Sequence, residues 1–289
     1  MMQKVTVVTD SLACLTRELT AKYGIKVVPL NIHFDGKIYK DWIDLTPKQA
    51  YELFLKSPNS WGSSAPSPGE FLKVFRRAGK RIKNILCVTA SARVSATIDA
   101  ARLARRQAKA ELPRISIEVF DSQMATAAEG LVALAAAKAA KAGKSLPEVA
   151  KVAEEVRGKV TFLAFLDTIK HVYRSGRIPK IAAQVGSLLN IKPLLTMSSG
   201  VVHFMGAVRS REQGIERMLK VMRDRVGQKP VHVAVMHAYA LEEAQKLKER
   251  VASAFNCVEI WISEFSPLMG YATGTGTLGL AFYAENEHD

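Results

Sequence analysis

Five hydroxyl side chains, Ser63, Ser64, Ser91, Ser95 and Thr97, fall in two short polar stretches of the 289-residue chain. Hydroxyls of this kind, joined by backbone N–H groups at a helix start, can hold a carboxylate, because hydrogen bonding and the helix dipole both favour an anion there. An apolar cavity behind them would take an acyl chain. Other chemistries lack the spacing they need. Gly274-Thr275-Gly276-Thr277-Leu278-Gly279 is literally G-x-G-x-x-G. A dinucleotide site, however, needs a strand before it, a helix opening on it and an acidic residue about 20 positions later. Only ten residues follow Gly279, and Thr277–Tyr283 reads as strand, so the glycines are read as a tight turn close to a ligand. The six histidines, His33, His171, His203, His232, His237 and His288, contain no H-x-x-x-H pair. His232 and His237, five apart in a strand pattern, would face opposite ways, so no metal site is expected. Neither a P-loop nor a G-x-S-x-G nucleophile elbow occurs.

Elements that must position these hydroxyls can be read from the same pattern. In the first half, β-branched runs at Val5–Thr9, Ile25–Val28, Ile85–Thr89 and Ile115–Phe120 alternate with helical stretches. Thr46-Pro47 and Ser67-Pro68-Gly69-Glu70 open helices with proline at the first position, and Ser145-Leu146-Pro147-Glu148 opens another with proline at the second. A long alanine-rich helix ends at Gly143. Such alternation predicts βαβ units and a parallel sheet covered on both faces, with ligands beyond the carboxyl ends of its strands. Thr9-Asp10-Ser11, Thr89-Ala90-Ser91 and Asp121-Ser122 collect at those ends. Each could face a ligand or simply cap the following helix. The second half predicts an α+β unit from about residue 160. It has strands at Thr161–Leu166, Val231–Val235, Val258–Ile262 and Thr277–Tyr283, and a helical turn at Asp167–Tyr173. A hairpin broken at Ser198-Ser199-Gly200 and helices at Glu212–Val226 and Leu241–Phe255 complete it.

Charge offers a second kind of partner. The chain carries a formal net charge of +14. Lys73 to Lys109 holds eleven basic residues against one acid, Asp99. A phosphate-binding face would have this sign, but Phe75 is the only aromatic residue in the stretch, so bases would find little to stack on and no nucleic acid partner is expected. Solvated helix faces and a dock for an acidic partner remain. Cys14, Cys87 and Cys257 are too far apart for a CxxC site and too few for a disulfide framework. With no secretory signal and no run of apolar residues long enough to span a bilayer, the expected location is the cytoplasm.

Seven segments, taken in order, resemble the DegV family of bacterial fatty-acid-binding proteins. Val8-Thr9-Asp10-Ser11 resembles the opening T-D-S, and Ser63 to Phe71 resembles T-S-x-P-S-P-x-x-F. Ser91 to Thr97 is similar to S-S-x-L-S-G-T, and Val119-Phe120-Asp121-Ser122 to V-x-D-S. Ser175-Gly176-Arg177-Ile178 stands where the family has G-G-R-I, and Leu188 to Pro193 matches L-L-N-I-K-P. Gly270 to Gly276 falls on G-x-H-x-G-P-G.

The resemblance implies an α/β fold of two domains. Residues 1–160 would form a three-layer α/β/α domain on a parallel sheet, carrying the carboxylate-binding loops. Residues 161–289 would form a two-layer α/β domain on a mixed sheet, completing a lipid tunnel. It also implies one long-chain fatty acid buried between them and no other cofactor. In members that serve it, a separate fatty acid kinase converts the presented carboxylate to an acyl phosphate for phospholipid synthesis. By motif position Ser63 stands for the threonine that binds the carboxylate, and Ser95 for the second carboxylate ligand. Ser64, Ala96, Thr97, Ala272 and Thr273 complete the ligand-binding set. Ala96 replaces a glycine, and Ala272 replaces the histidine that lies by the carboxylate in kinase-serving members. Arg177 and Arg209 resemble arginines near the portal, with a role toward phosphate or kinase or in an interdomain hydrogen bond. The basic stretch would then serve docking, to an acidic kinase subunit or to anionic membrane lipid. An enzyme acting on a small phosphorylated or acyl substrate in the same crevice is the alternative from another class, although no nucleophile, base and metal set can be assembled from the sequence.

Overall fold

The structure, a computed structural model, describes residues 3–168, 171 and 191–285. Its first half runs β1 (Val5–Asp10), α1 (Arg17–Tyr23), β2 (Lys26–Val28), β3 (Asn31–Phe34), β4 (Lys37–Lys40), α2 (Pro47–Lys56), β5 (Trp61–Ser64), α3 (Pro68–Gly79), β6 (Asn84–Thr89), α4 (Thr97–Glu111), β7 (Ser116–Asp121), α5 (Thr126–Lys141) and α6 (Leu146–Lys159). The second half runs β8 (Thr161–Phe165), β9 (Lys192–Ser198), β10 (Val201–Val208), α7 (Arg211–Val226), β11 (Val231–His237), α8 (Leu241–Ala254), β12 (Cys257–Glu264), α9 (Pro267–Thr273) and β13 (Leu278–Ala284).

Strands β2-β1-β6-β7, in that order, make a four-stranded parallel sheet. Alternation along each strand divides its side chains between two helical layers. Val8, Ile85 and Cys87 pack with Phe71 and Phe75 of α3 and Ala101 and Ala104 of α4. Val5, Val7, Leu86 and Val88 pack on the other side with Leu131 and Leu134 of α5. Strands β10-β9-β8-β13-β11-β12 form a second, mixed sheet in which only β11 and β12 run parallel. Its Phe162, Ala164, Ala234, Met236 and Ala281 join the core around α5, while Val231, Val233, Val235, Leu280 and Phe282 meet α7 and α8 behind. Helix α5 therefore lies between two sheets, and all its residues but Lys138 and Lys141 are buried. Such a helix must be apolar all round and thin, which accounts for its alanines.

Close approach at one point of α5 requires glycine. A Cβ on Gly130 would lie 2.4 Å from the carbonyl oxygen of Ala13. Gly130→Ala is expected to destabilise the fold by about 1–3 kcal/mol, because backbone rather than a flexible side chain must yield; the midpoint of urea unfolding measures it.

The helix starts expected from sequence hold. Thr46, Ser67 and Ser145 cap α2, α3 and α6, with Gln49, Glu70 and Glu148 reaching back to the capping residue. Absent from the sequence reading are α1, α9 and a three-stranded antiparallel sheet, β4-β3-β5, which sets β5 beside β3. These elements have four to seven residues, and tertiary contact stabilises them. The helical turn expected at Asp167–Tyr173 lies largely outside the described residues. Among the described residues, no helix is long and apolar enough to cross a membrane.

Candidate functional site

Loops following β5 and β6, the start of α5 and the helix α9 meet around a cavity of about 550 Å³. Leu12, Leu30, Phe162, Met197, Val202 and Leu268 supply much of an apolar wall, and Ser63, Ser64 and Ser95 bring hydroxyls to it. The volume is in the usual range for a small-molecule site.

Ser63, on β5 opposite Ile32, is half-buried, and its hydroxyl has no hydrogen-bond partner among the described residues. Ser95 precedes α4. Its Oγ lies 2.7 Å from Thr97 Oγ1 and accepts from the Thr97 N–H at 3.3 Å. Thr97 itself is fully buried behind Ser95 and does not line the cavity. Ala96 occupies the N-cap of α4 at φ −78°, a conformation any residue adopts, so losing a glycine there brings no strain. Ala96 makes no side-chain cap hydrogen bond, and Ser95 Oγ instead takes the Thr97 N–H, the first of α4, beside the cavity wall. Helix starts favour negative charge. Arg93, exposed at the same wall, adds a cation that the sequence reading quoted within a motif without assigning it a role.

Ser64 lines the cavity too, but its Oγ is engaged. It accepts from Asn31 Nδ2 at 3.1 Å and lies 2.8 Å from His33 Nε2. Ala272 and Thr273, both buried on α9, also line the wall. Thr273 donates its hydroxyl proton to the Met269 carbonyl, one helical turn back. Ser91 is buried and donates to the Gly200 carbonyl at 2.8 Å, tying the loop after β6 to the β9–β10 turn. Arg209 lies exposed just beyond β10 and does not line the cavity. Arg177 lies outside the described residues.

The polar strand ends prove to be caps. Asp10 accepts from the Leu12 N–H at 2.9 Å and the Ala90 N–H at 3.0 Å, binding the loops after β1 and β6 together. Asp121 accepts from the Gln123 N–H, and Ser122 from the Met124 N–H. Behind the cavity Thr9 donates to Glu129 Oε1 at 3.1 Å. Burial raises the Asp10 carboxyl to about 6 and pushes Glu129 well above the usual carboxylate range. The glycine run is a turn, as expected: Gly274 and Gly276 have φ of +86° and +83°, and β13 rather than a helix follows. His232 lies between Glu259 and Glu285, and no group of three or more His, Cys, Asp or Glu among the described residues is placed to hold a metal ion.

A family model described as "Uncharacterised protein, DegV family" matches residues 4–285. The chain belongs to the DegV family. Protein DegV of Bacillus subtilis is 30% identical over 280 residues, which cover 96% of this chain and 98% of that protein. The fold agrees with the crystal structure of B. subtilis DegV, described as a fatty acid binding protein, with a TM-score of 0.89 at 28% identity, covering 98% of this chain and 100% of the other. A DegV family protein from Thermus thermophilus, described for its fatty acid binding, gives a TM-score of 0.89 at 29% identity, with 98% and 100% covered. The parallel four-stranded sheet and the separate mixed sheet are thus those of DegV proteins.

Proposed function

We propose that this DegV protein is a carrier that buries one long-chain fatty acid in the 550 Å³ cavity, with the carboxylate held by Ser63, Ser95 and nearby backbone N–H groups. The observation that carries the reading is the hydroxyl of Ser63. It has no partner among the described residues, although it lines the same apolar cavity as Ser95 and the start of α4. Oxygen donors around an apolar space suit a molecule with one anionic end and a hydrocarbon body. Fatty acid binding in the Bacillus and Thermus relatives supports the same class of ligand. In this reading Thr97 holds Ser95 in place, and Ser64, Ala96, Ala272 and Thr273 shape the wall. Residues 1–160 carry the carboxylate loops, and residues 161–289 close the space.

Presentation to a separate kinase belongs to the same proposal. Lys73 and Arg77 of α3, Lys80 just after it, and Arg105, Arg106 and Lys109 of α4 are all exposed on the outer helical layer, which suits an acidic kinase subunit or the anionic membrane where the fatty acid is exchanged. Ala272, buried in the cavity wall, offers the carboxylate no imidazole.

The 2.8 Å contact between Ser64 and His33 favours a second reading, hydrolysis of an acyl thioester, since a serine bonded to an imidazole is the start of a nucleophile–base pair. One experiment separates the two. Protein purified without added lipid is denatured and extracted, and the extract is weighed by mass spectrometry, while a folded sample is incubated with palmitoyl-coenzyme A. A carrier yields a bound long-chain acid and releases no thiol. An empty protein that takes up no added stearate, or steady thiol release, rejects carriage.

A further inference from the structure

We propose that Thr126 and the opening turn of α5 form a second polar subsite in the cavity, one that takes an uncharged oxygen, a hydroxyl or keto group, carried on the acyl chain. The inference rests on the fatty-acid reading and narrows its substrate class.

Thr126 lines the cavity, is fully buried, and its Oγ1 has no hydrogen-bond partner among the described residues. Its φ is +61°, a left-handed conformation that β-branched residues rarely adopt. A buried orphan hydroxyl and a strained backbone both cost stability, and such features persist where a ligand uses them. Valine would have filled the same space without the unpaired oxygen. The backbone points the same way. Thr126 opens a 16-residue buried helix whose N-cap, Ala125, has no side chain to cap it. Donors at that end therefore await an acceptor.

Neighbouring side chains define what the acceptor is. Ala125, Phe162, Met197 and Val202, which share the cavity wall, belong to the apolar core around α5. Ser63 and Ser64 come instead from β5, and Ser95 from the loop after β6. A polar group standing among hydrocarbon walls meets the chain rather than its carboxylate end. Glu129 follows Thr126 by three residues, on the same face of the helix, and is fully buried. Two carboxyls, Glu129 and Asp10, are buried at this end of α5, which disfavours a second anion and leaves a neutral oxygen able to accept from Thr126 or the helix N–H groups.

The test compares stearate with a series of monohydroxystearates differing in hydroxyl position, by displacement of a fluorescent fatty acid from the wild-type protein. At least one positional isomer is expected to bind about tenfold more tightly than stearate, the effect of satisfying one buried donor. That ratio is expected to collapse toward one in Thr126→Val, which keeps the side-chain shape, and to survive in Thr126→Ser, which keeps the hydroxyl. Wild-type ratios near one for every isomer, or a ratio unchanged in Thr126→Val, overturn the subsite while leaving fatty acid binding in place. Failure of the wild type to bind stearate or any isomer rejects the carrier reading as well. The wild-type comparison decides the matter even if a variant does not fold.

Discussion

Replacing Ser63 and Ser95 together by alanine is expected to weaken stearate binding by about 2–4 kcal/mol, roughly 30- to 1,000-fold. Each hydroxyl can donate to a charged acceptor inside an apolar cavity, where a missing donor costs more than it would in water. The fold should tolerate the change. Ser63 Oγ makes no hydrogen bond to the described residues, and Ser95 gives up only its contacts with Thr97. Competitive displacement of a fluorescent fatty acid, read beside a thermal melt, checks both halves. An affinity within threefold of wild type would move the carboxylate away from these loops. The single Ser63→Ala variant is the sharper probe of the two, because its hydroxyl has no structural duty that could explain a loss.

The second large effect concerns stability. Asp10 and Glu129 are both buried carboxyls whose folded values are raised by desolvation. The folded chain therefore holds these protons more tightly than the unfolded chain, and stability falls as pH rises through the window between the two values. For Asp10 that window runs from its ordinary 3.8 to about 6, worth about 3 kcal/mol. Glu129 extends the decline to higher pH. Glu129→Gln keeps an oxygen to accept from Thr9 and removes the charge. It is expected to match wild type at pH 4 and to exceed it by about 1–3 kcal/mol at pH 8. Urea unfolding at a series of pH values measures the difference, and two superimposable profiles would remove Glu129 from this account.

Local rules explain why much of the frame was legible. Ser67 and Glu70 sit three apart ahead of Phe71, Leu72 and Phe75, and the capping box forms where that spacing demands it. Strand β6 was read as Ile85–Thr89 and is Asn84–Thr89, because a β-branched apolar run between turn residues has few other uses. Asp10 was harder. At the end of a strand it could face a ligand or cap a turn, and only the position of the Ala90 N–H, eighty residues away, decides for the cap.

The site was legible in part, for the same reason. Ser63, Ser64, Ser95, Ala96, Ala272 and Thr273 do line one cavity, whereas Thr97 stands behind it and Arg209 lies off it. Sequence similarity maps a motif but not which way its side chains turn. Thr126 shows the limit most clearly. At the head of an alanine-rich helix it looks like a routine starting residue, and nothing local predicts its positive φ.

By itself the sequence determined the helix starts, the parallel-sheet strands, the turn at the glycine run and membership of a family whose relatives bind fatty acids. Each depends on contacts within a few residues or on a motif carried whole. Tertiary structure alone decided which hydroxyls are spent on the protein and which are left for a ligand. It set Ser64 against His33, Ser91 against Gly200 and Asp10 against Ala90, and left Ser63 and Thr126 without partners among the described residues. The physical reason is that a hydroxyl's partner is a matter of position in space. The packing of two sheets on α5 brings together groups that the chain holds far apart.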